Sequence, residues 1–178
     1  KTNKKIFLLV GDVGYNVVEK FEKNFPDRFL NVGVAEQNMT GLAAGLASEG
    51  YHVFTYSIAN FPTFRCAEQI RNDIDYHNLP VTVVSVGGGV AYGNLGYSHH
   101  AVQDYGLIRM MPNFRIAAPA DSNEVKSVLN YLTKNPQPSY LRLGKNNEVP
   151  ITNNKKKLIP GKWYPLPTNK GHQDIILS

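Results

Sequence analysis

Residues 31–50, NVGVAEQNMTGLAAGLASEG, decide how the chain is read. They give the end of a strand, a turn at Gly33, and a helix that opens on Glu36 and closes on Gly50. Met39, Leu42, Ala43 and Leu46 recur at helical spacing and make one face apolar. Gly41, Ala44, Gly45 and Ala47 leave the rest of that helix almost bare. Gly41 and Gly45 each cost roughly 1 kcal/mol of helix propensity relative to Ala, which predicts close approach by another backbone or a partner subunit. Glu36 then stands at the mouth of a tightly packed helix. The helix N-terminus favours its anion, whereas burial favours the neutral acid that shares a proton with a ligand. A first-turn glutamate that only caps its own helix is the plainer alternative.

Strand and helix signals alternate on either side. Ile6–Val10 is a short apolar run ending at Gly11 and Asp12, read as a buried strand. Val17, Val18 and Phe21 predict a short helix stopped before Pro26, and Phe29–Asn31 the next strand. His52–Tyr56 is a third strand, whose exit leads into a helix carrying Ala67, Ile70 and Ile74 with Pro62 in its first turn. Val81–Val86 is a β-branched fourth strand, as expected where both faces are buried. Arg115–Ala118 is the fifth. Asp121 or Ser122 then caps a helix with Glu124 near its third position and Val125, Val128, Leu129 and Leu132 on one face. Ser139–Leu143 is the sixth. The alternation predicts an α/β fold of three layers: a mostly parallel sheet with helices on both faces. Ligands of such sheets bind at the carboxyl ends of the strands, which is where Asp12, Glu36, Phe61, His99 and Arg142 fall. Residues 1–150 read as one domain. Residues 151–178 read as a linker, starting Thr152-Asn153-Asn154-Lys155-Lys156-Lys157, and the truncated start of a further domain, because 174–178 resembles a strand with nothing to pair with.

Charge and composition exclude several classes. The 178 residues carry a formal charge of +5, yet residues 6–150 hold eleven Lys and Arg against thirteen Asp and Glu. The basic excess lies in the two ends of the sequence, so the domain lacks a nucleic-acid footprint. No apolar run reaches the ~20 residues a membrane helix needs. Cys66 is the single cysteine, which excludes an internal disulfide and fits a reducing, cytoplasmic setting.

The chemistry-bearing candidates each have a bland reading beside the functional one. The loop from Gly87, Gly88 and Gly89 to Gly96 follows a strand but fails the dinucleotide spacing, since Tyr92 stands where glycine is needed, and no GK[ST] follows. A mobile loop over a site fits it better. His99 and His100 end that loop; they contact a substrate or cofactor, or form an exposed pair, and no ligand set for zinc surrounds them. Phe61 and Phe64 offer a ring for stacking or pack in the core. Arg65 and Arg142 hold an anion or pair on the surface. Neither a GxSxG elbow nor HExxH is present.

Taken in order, Gly33-Val34-Ala35-Glu36-Gln37, Tyr56-Ser57 with Phe61 to Arg65, and Gly96-Tyr97-Ser98-His99 resemble the pyrimidine-binding domain of transketolase and deoxyxylulose-phosphate synthase, over about Gly11 to Lys145. The whole resembles part of the C-terminal subunit of a split transketolase. The resemblance implies a thiamine diphosphate-dependent transferase moving a two-carbon ketol unit from a ketose or ketose phosphate to an aldose. Glu36 matches the catalytic glutamate that hydrogen-bonds the aminopyrimidine. Phe61 or Phe64 would stack on that ring, and Asp12 would border the cofactor. His99 would touch substrate or cofactor, and His100, Arg65 and Arg142 the substrate, with Arg142 facing its phosphate. Leu95 departs from the family by replacing an aspartate that reads a sugar hydroxyl. The acidic GDG motif that holds diphosphate and Mg²⁺ is absent, so the resemblance implies a partner subunit carrying it, in a homodimer or heterotetramer, and an isolated chain without activity. Deoxyxylulose-phosphate synthase, a 2-oxoacid dehydrogenase β subunit, and a non-catalytic assembly subunit are the alternatives.

Overall fold

The computed structural model describes residues 5–145, 148–152 and 161. The chain runs β1 (Ile6–Val10), α1 (Glu19–Asn24), β2 (Phe29–Asn31), α2 (Glu36–Ser48) and β3 (His52–Ile58). A composite helix follows, joining a 3₁₀ turn (Phe64–Cys66), one α turn (α3, Ala67–Gln69) and a π turn (Ile70–Asp75). The second half adds β4 (Val81–Val86), α4 (Asp104–Arg109), β5 (Arg115–Ala117), α5 (Ser122–Lys134) and β6 (Ser139–Leu143).

All strand pairs are parallel, in the order β2-β1-β3-β4-β6-β5. Parallel strands need crossovers, and the crossover helices cover both faces of the sheet. On one face, Leu9, Val53, Val81, Val83 and Tyr140 pack with Met39, Ala43 and Ala47 of α2, Ile70 and Ile74 of the composite helix, and Ile108 of α4. On the other, Phe54, Val84 and Leu141 pack with Val128 and Leu132 of α5. The period of two in strands and the apolar stripe of α5 thus form two cores separated by the sheet. The expected three-layer α/β architecture is present.

Several boundaries differ from expectation for tertiary reasons. β3 runs two residues past Tyr56 because Ser57 and Ile58 pair with Ser85 and Val86 of β4. Pro62 precedes the helix instead of opening it. There the Thr63 hydroxyl donates to the Ala59 carbonyl at 2.8 Å, and the Phe64 amide to that of Asn60, coiling the chain before the 3₁₀ turn starts. α1 begins at Glu19, after Val17 and Val18, and buries no residue. Asp121 caps α5 as expected, accepting from the amides of Asn123 and Glu124. It also accepts from the amides of Ile151 and Thr152, and these bonds hold its carboxyl far below the usual range. The linker from 153 onward and the strand at 174–178 lie outside the described residues.

His52, at the amino end of β3, is 4% exposed. One ring nitrogen, Nε2, meets Thr82 Oγ1 at 2.9 Å, and Nδ1 has no partner among the described residues. Burial pushes its pKa down to about 4 from 6.5. The unfolded chain therefore binds this proton first as pH falls. Stability is full above about pH 6.5 and is lost toward pH 4, by about 3 kcal/mol from this residue alone. Urea unfolding between pH 7.5 and 4.5 should show a steeper fall for wild type than for His52→Gln; parallel curves would refute the assignment. Asp121 stays out of this window, because its contribution is lost only below the ordinary carboxylate range.

Candidate functional site at the carboxyl ends of the strands

β1 connects to β2 on one side of the sheet, and β3 continues the chain on the other. The order therefore reverses between β1 and β3, and the carboxyl ends of these two strands are where sheets of this kind take their ligands. Gly11, Ser57 and Glu36 converge there. A side chain at Gly11 would press Ser57 Oγ at 3.3 Å and lie 3.6 Å from Glu36 Oε1. Glycine is what lets β1 end against the carboxylate.

Glu36 occupies the first turn of α2 but does not cap it. Its side chain turns inward and is 1% exposed. Oε1 accepts from Ser57 Oγ at 3.0 Å, and Oε2 accepts from Arg65 Nη1 at 2.5 Å. The Arg65 side chain is 42% exposed, so the pair joins a buried acid to an exposed guanidinium. That guanidinium also stands over the Phe61 ring, with Cζ 4.5 Å from its centroid. Phe61 meets His99 edge to face at 5.1 Å. The structure thus brings Glu36, Arg65, Phe61 and His99 into one continuous cluster. Phe64 is 44% exposed, and it is Phe61 that reaches the Glu36–Arg65 pair.

The remaining candidates have other immediate partners. Asp12, in a left-handed backbone conformation (φ 56°), accepts from Asn31 Nδ2 at 3.0 Å. Asn31 Oδ1 in turn accepts from the Asp12 and Gly33 amides, tying the ends of β1 and β2 to the turn before α2. His100 Nε2 bonds the Gly93 carbonyl at 2.8 Å, and His99 Nδ1 meets Ser98 Oγ at 3.0 Å. Arg142 is committed within the chain. Its Nε donates to Asp104 Oδ2 at 2.8 Å, Nη2 to the Ala101 carbonyl at 2.8 Å and Nη1 to Tyr105 Oη at 3.3 Å. A side chain at Gly88 would overlap this guanidinium. Gly89 and Ala101 exchange both backbone hydrogen bonds. The base of the 89–101 loop is therefore pinned, with Arg142 as its anchor.

Sequence reasoning missed three contributors. Ser57 belongs to a motif but carries no role there, because it lies near the end of β3 one residue past the expected strand. Asn60 holds the histidine loop by donating to the Ser98 carbonyl at 2.7 Å. Asp104, fully buried at the start of α4, accepts from Tyr140 Oη at 2.6 Å; a lone aspartate opening a six-residue helix carries no local signal. Cys66 is buried beside this cluster, and burial pushes its thiol above the ordinary range. It is a packed thiol, held in its protonated form by burial.

The cluster joins a buried acid, held by Ser57, to an aromatic face through the Arg65 guanidinium. It can grip the edge and the face of a flat nitrogen heterocycle and hold or pass a proton at Glu36 Oε2. This fits the aminopyrimidine end of thiamine diphosphate. Among the described residues no group of three or more His, Cys, Asp or Glu is arranged to hold a metal ion, and no helix is long and apolar enough to cross a membrane.

Residues 1–149 match the family model described as transketolase, pyrimidine binding domain. The chain is 37% identical over 145 residues to one of the subunits of the apulose-4-phosphate transketolase of Actinobacillus succinogenes, covering 82% of this chain and 47% of that one. It is 38% identical over 168 residues to 1-deoxy-D-xylulose-5-phosphate synthase of Aquifex aeolicus, covering 93% and 26%. A solved structure of a split gene transketolase, an inactive beta4 tetramer, superposes with a TM-score of 0.79 at 34% identity, covering 90% of this chain and 52% of that one. The chain thus spans about half the length of the apulose-4-phosphate transketolase subunit and of the solved chain. With Glu36 and Phe61 joined through the Arg65 guanidinium at the sheet's switch point and residues 1–149 matched, this chain belongs to the transketolase pyrimidine-binding domain family.

Proposed function

We propose that this chain is the pyrimidine-binding part of a thiamine diphosphate-dependent, transketolase-like transferase. It moves a two-carbon ketol unit from a ketose or ketose phosphate to an aldose, and a partner subunit carries the diphosphate and Mg²⁺ site. The observation that carries this reading is the buried Glu36 carboxylate, fixed by Ser57 and joined through the Arg65 guanidinium to the Phe61 ring at the switch point of the sheet. When bound, thiamine diphosphate supplies the nucleophilic carbon for breaking and remaking the carbon–carbon bond.

Within this chain, Glu36 Oε2 bonds the edge of the pyrimidine and holds the proton there, while Ser57 keeps Oε1 occupied and the carboxylate oriented. Phe61 supplies the flat face. His99, held against Phe61, lines the approach for substrate, and Asp12 borders the site through its tie to the turn before α2. Arg142 acts on the site by anchoring the histidine loop. The family likeness supports the cofactor. The need for a partner is supported by the likeness to a transketolase subunit and to a split gene transketolase and by Gly41 and Gly45 of α2, which have nothing within 4 Å of where a side chain would begin. The domain boundary near residue 150 and a cytoplasmic setting belong to the same reading.

The first test is calorimetric titration of thiamine diphosphate with Mg²⁺ into the full-length chain, alone and mixed with the diphosphate-binding subunit. Tight binding in the mixture only is the expected result, and no binding in either overturns the proposal. The match to the Aquifex aeolicus synthase keeps one rival reading open, a pyruvate donor. Product analysis with ketose phosphate against pyruvate decides between them, and a ketol product absent with every ketose sinks the transketolase reading.

A further inference from the structure

Arg65 makes both contacts that the proposed function assigns to the cofactor's ring. Its Nη1 bonds Glu36 Oε2 at 2.5 Å, and its Cζ stands 4.5 Å from the Phe61 centroid. A guanidinium is flat, cationic and delocalised, so one group satisfies a carboxylate on its edge and an aromatic ring on its face. An aminopyrimidine makes the same two demands. We infer that Arg65 is a built-in stand-in for the aminopyrimidine: it holds Glu36 and Phe61 until the cofactor displaces it, and its removal raises cofactor affinity. This inference rests on the reading of Glu36 and Phe61 as the pyrimidine contacts.

The asymmetry of the pair supports displacement. Glu36 is 1% exposed, whereas the Arg65 side chain is 42% exposed. The guanidinium can swing into solvent without opening the core. The carboxylate cannot follow, because Ser57 holds Oε1 at 3.0 Å and the Gly11 backbone runs alongside. The acid therefore stays where an incoming ring needs it. The pairing also has a structural reason, since a buried carboxylate without a partner is costly. Arg65 offsets that cost in the chain before a ligand arrives. If the pair is closed nine times in ten, the competent fraction is one tenth and the apparent affinity is weakened about tenfold.

Two measurements on the full-length chain test this. Without cofactor, urea midpoints of wild type, Glu36→Gln, Arg65→Met and the double variant should be non-additive, with the double variant retaining more than the two single losses predict. Additive losses overturn the inference. With the diphosphate-binding subunit and Mg²⁺ present, calorimetry should show Arg65→Met binding thiamine diphosphate roughly tenfold more tightly than wild type. Arg65→Lys, which pairs without stacking flat, should fall between. Equal or weaker binding by Arg65→Met, with normal binding by wild type, overturns this inference and leaves the proposed function standing. No binding by the wild-type complex overturns both.

Discussion

Glu36→Gln in the full-length chain, assembled with its diphosphate-binding partner, lowers turnover by roughly 10²–10⁴-fold, the range lost when a positioned acid–base group is removed. The substitution is nearly isosteric. The amide oxygen still accepts a hydrogen bond from Ser57, but the amide can neither hold nor release a proton at the Oε2 position, nor carry the charge that faces Arg65. Because Glu36 is 1% exposed, the change does not alter the outer surface. Assembly measured by light scattering should therefore match wild type. Unchanged turnover would exclude a catalytic Glu36 and favour an assembly subunit that keeps the fold without the chemistry.

Arg142→Met destabilises the folded domain by about 3 kcal/mol or more, in the range for breaking a buried pair. Asp104 is fully buried, and its Oδ1 has no partner among the described residues. Its Oδ2 depends on Tyr140 and Arg142. Methionine fills much of the arginine stem's volume and leaves the carboxylate with the tyrosine hydroxyl alone. Burial, and then Asp104 itself, already push the Tyr140 pKa well above its ordinary value. That proton therefore stays on the phenol, which donates it to Asp104 Oδ2. The double variant Arg142→Met with Asp104→Asn should recover most of the loss, because a neutral amide needs no counter-charge. Urea unfolding measures both. A second readout is local: hydrogen exchange at the Gly89 and Ala101 amides should quicken in Arg142→Met, since Arg142 holds the Ala101 carbonyl. A loss below about 1 kcal/mol would mean that the pair behaves as a surface contact.

Much of the domain is legible locally. Val81–Val86 is recognisable as a doubly buried strand because every residue is β-branched or small and the run is unpunctuated. The cap at Asp121 with Glu124 near by is legible because capping operates within four residues. Glu36 stands out because a strand, a tight turn and a glycine-bearing helix follow in immediate succession. α4 is not legible: six residues are too few to show a period. Nor is the π turn at Ile70–Asp75, where the composite helix widens although the sequence reads as an ordinary continuation.

The amino-acid sequence by itself determined the class of fold, the placement of the polar candidates at strand ends, and the family to which the motifs belong. These rest on periodicity, caps and short spacings, which are properties of neighbours along the chain. Only the tertiary structure decided that Ser57 and Arg65 share the carboxylate of Glu36, that Phe61 and not Phe64 faces that pair, and that Arg142 is spent on Asp104. Those contacts join residues 21, 29 and 38 positions apart. They exist because the order β2-β1-β3-β4-β6-β5 sets particular strand ends side by side, and that order is fixed by how the helices pack on the two faces of the sheet.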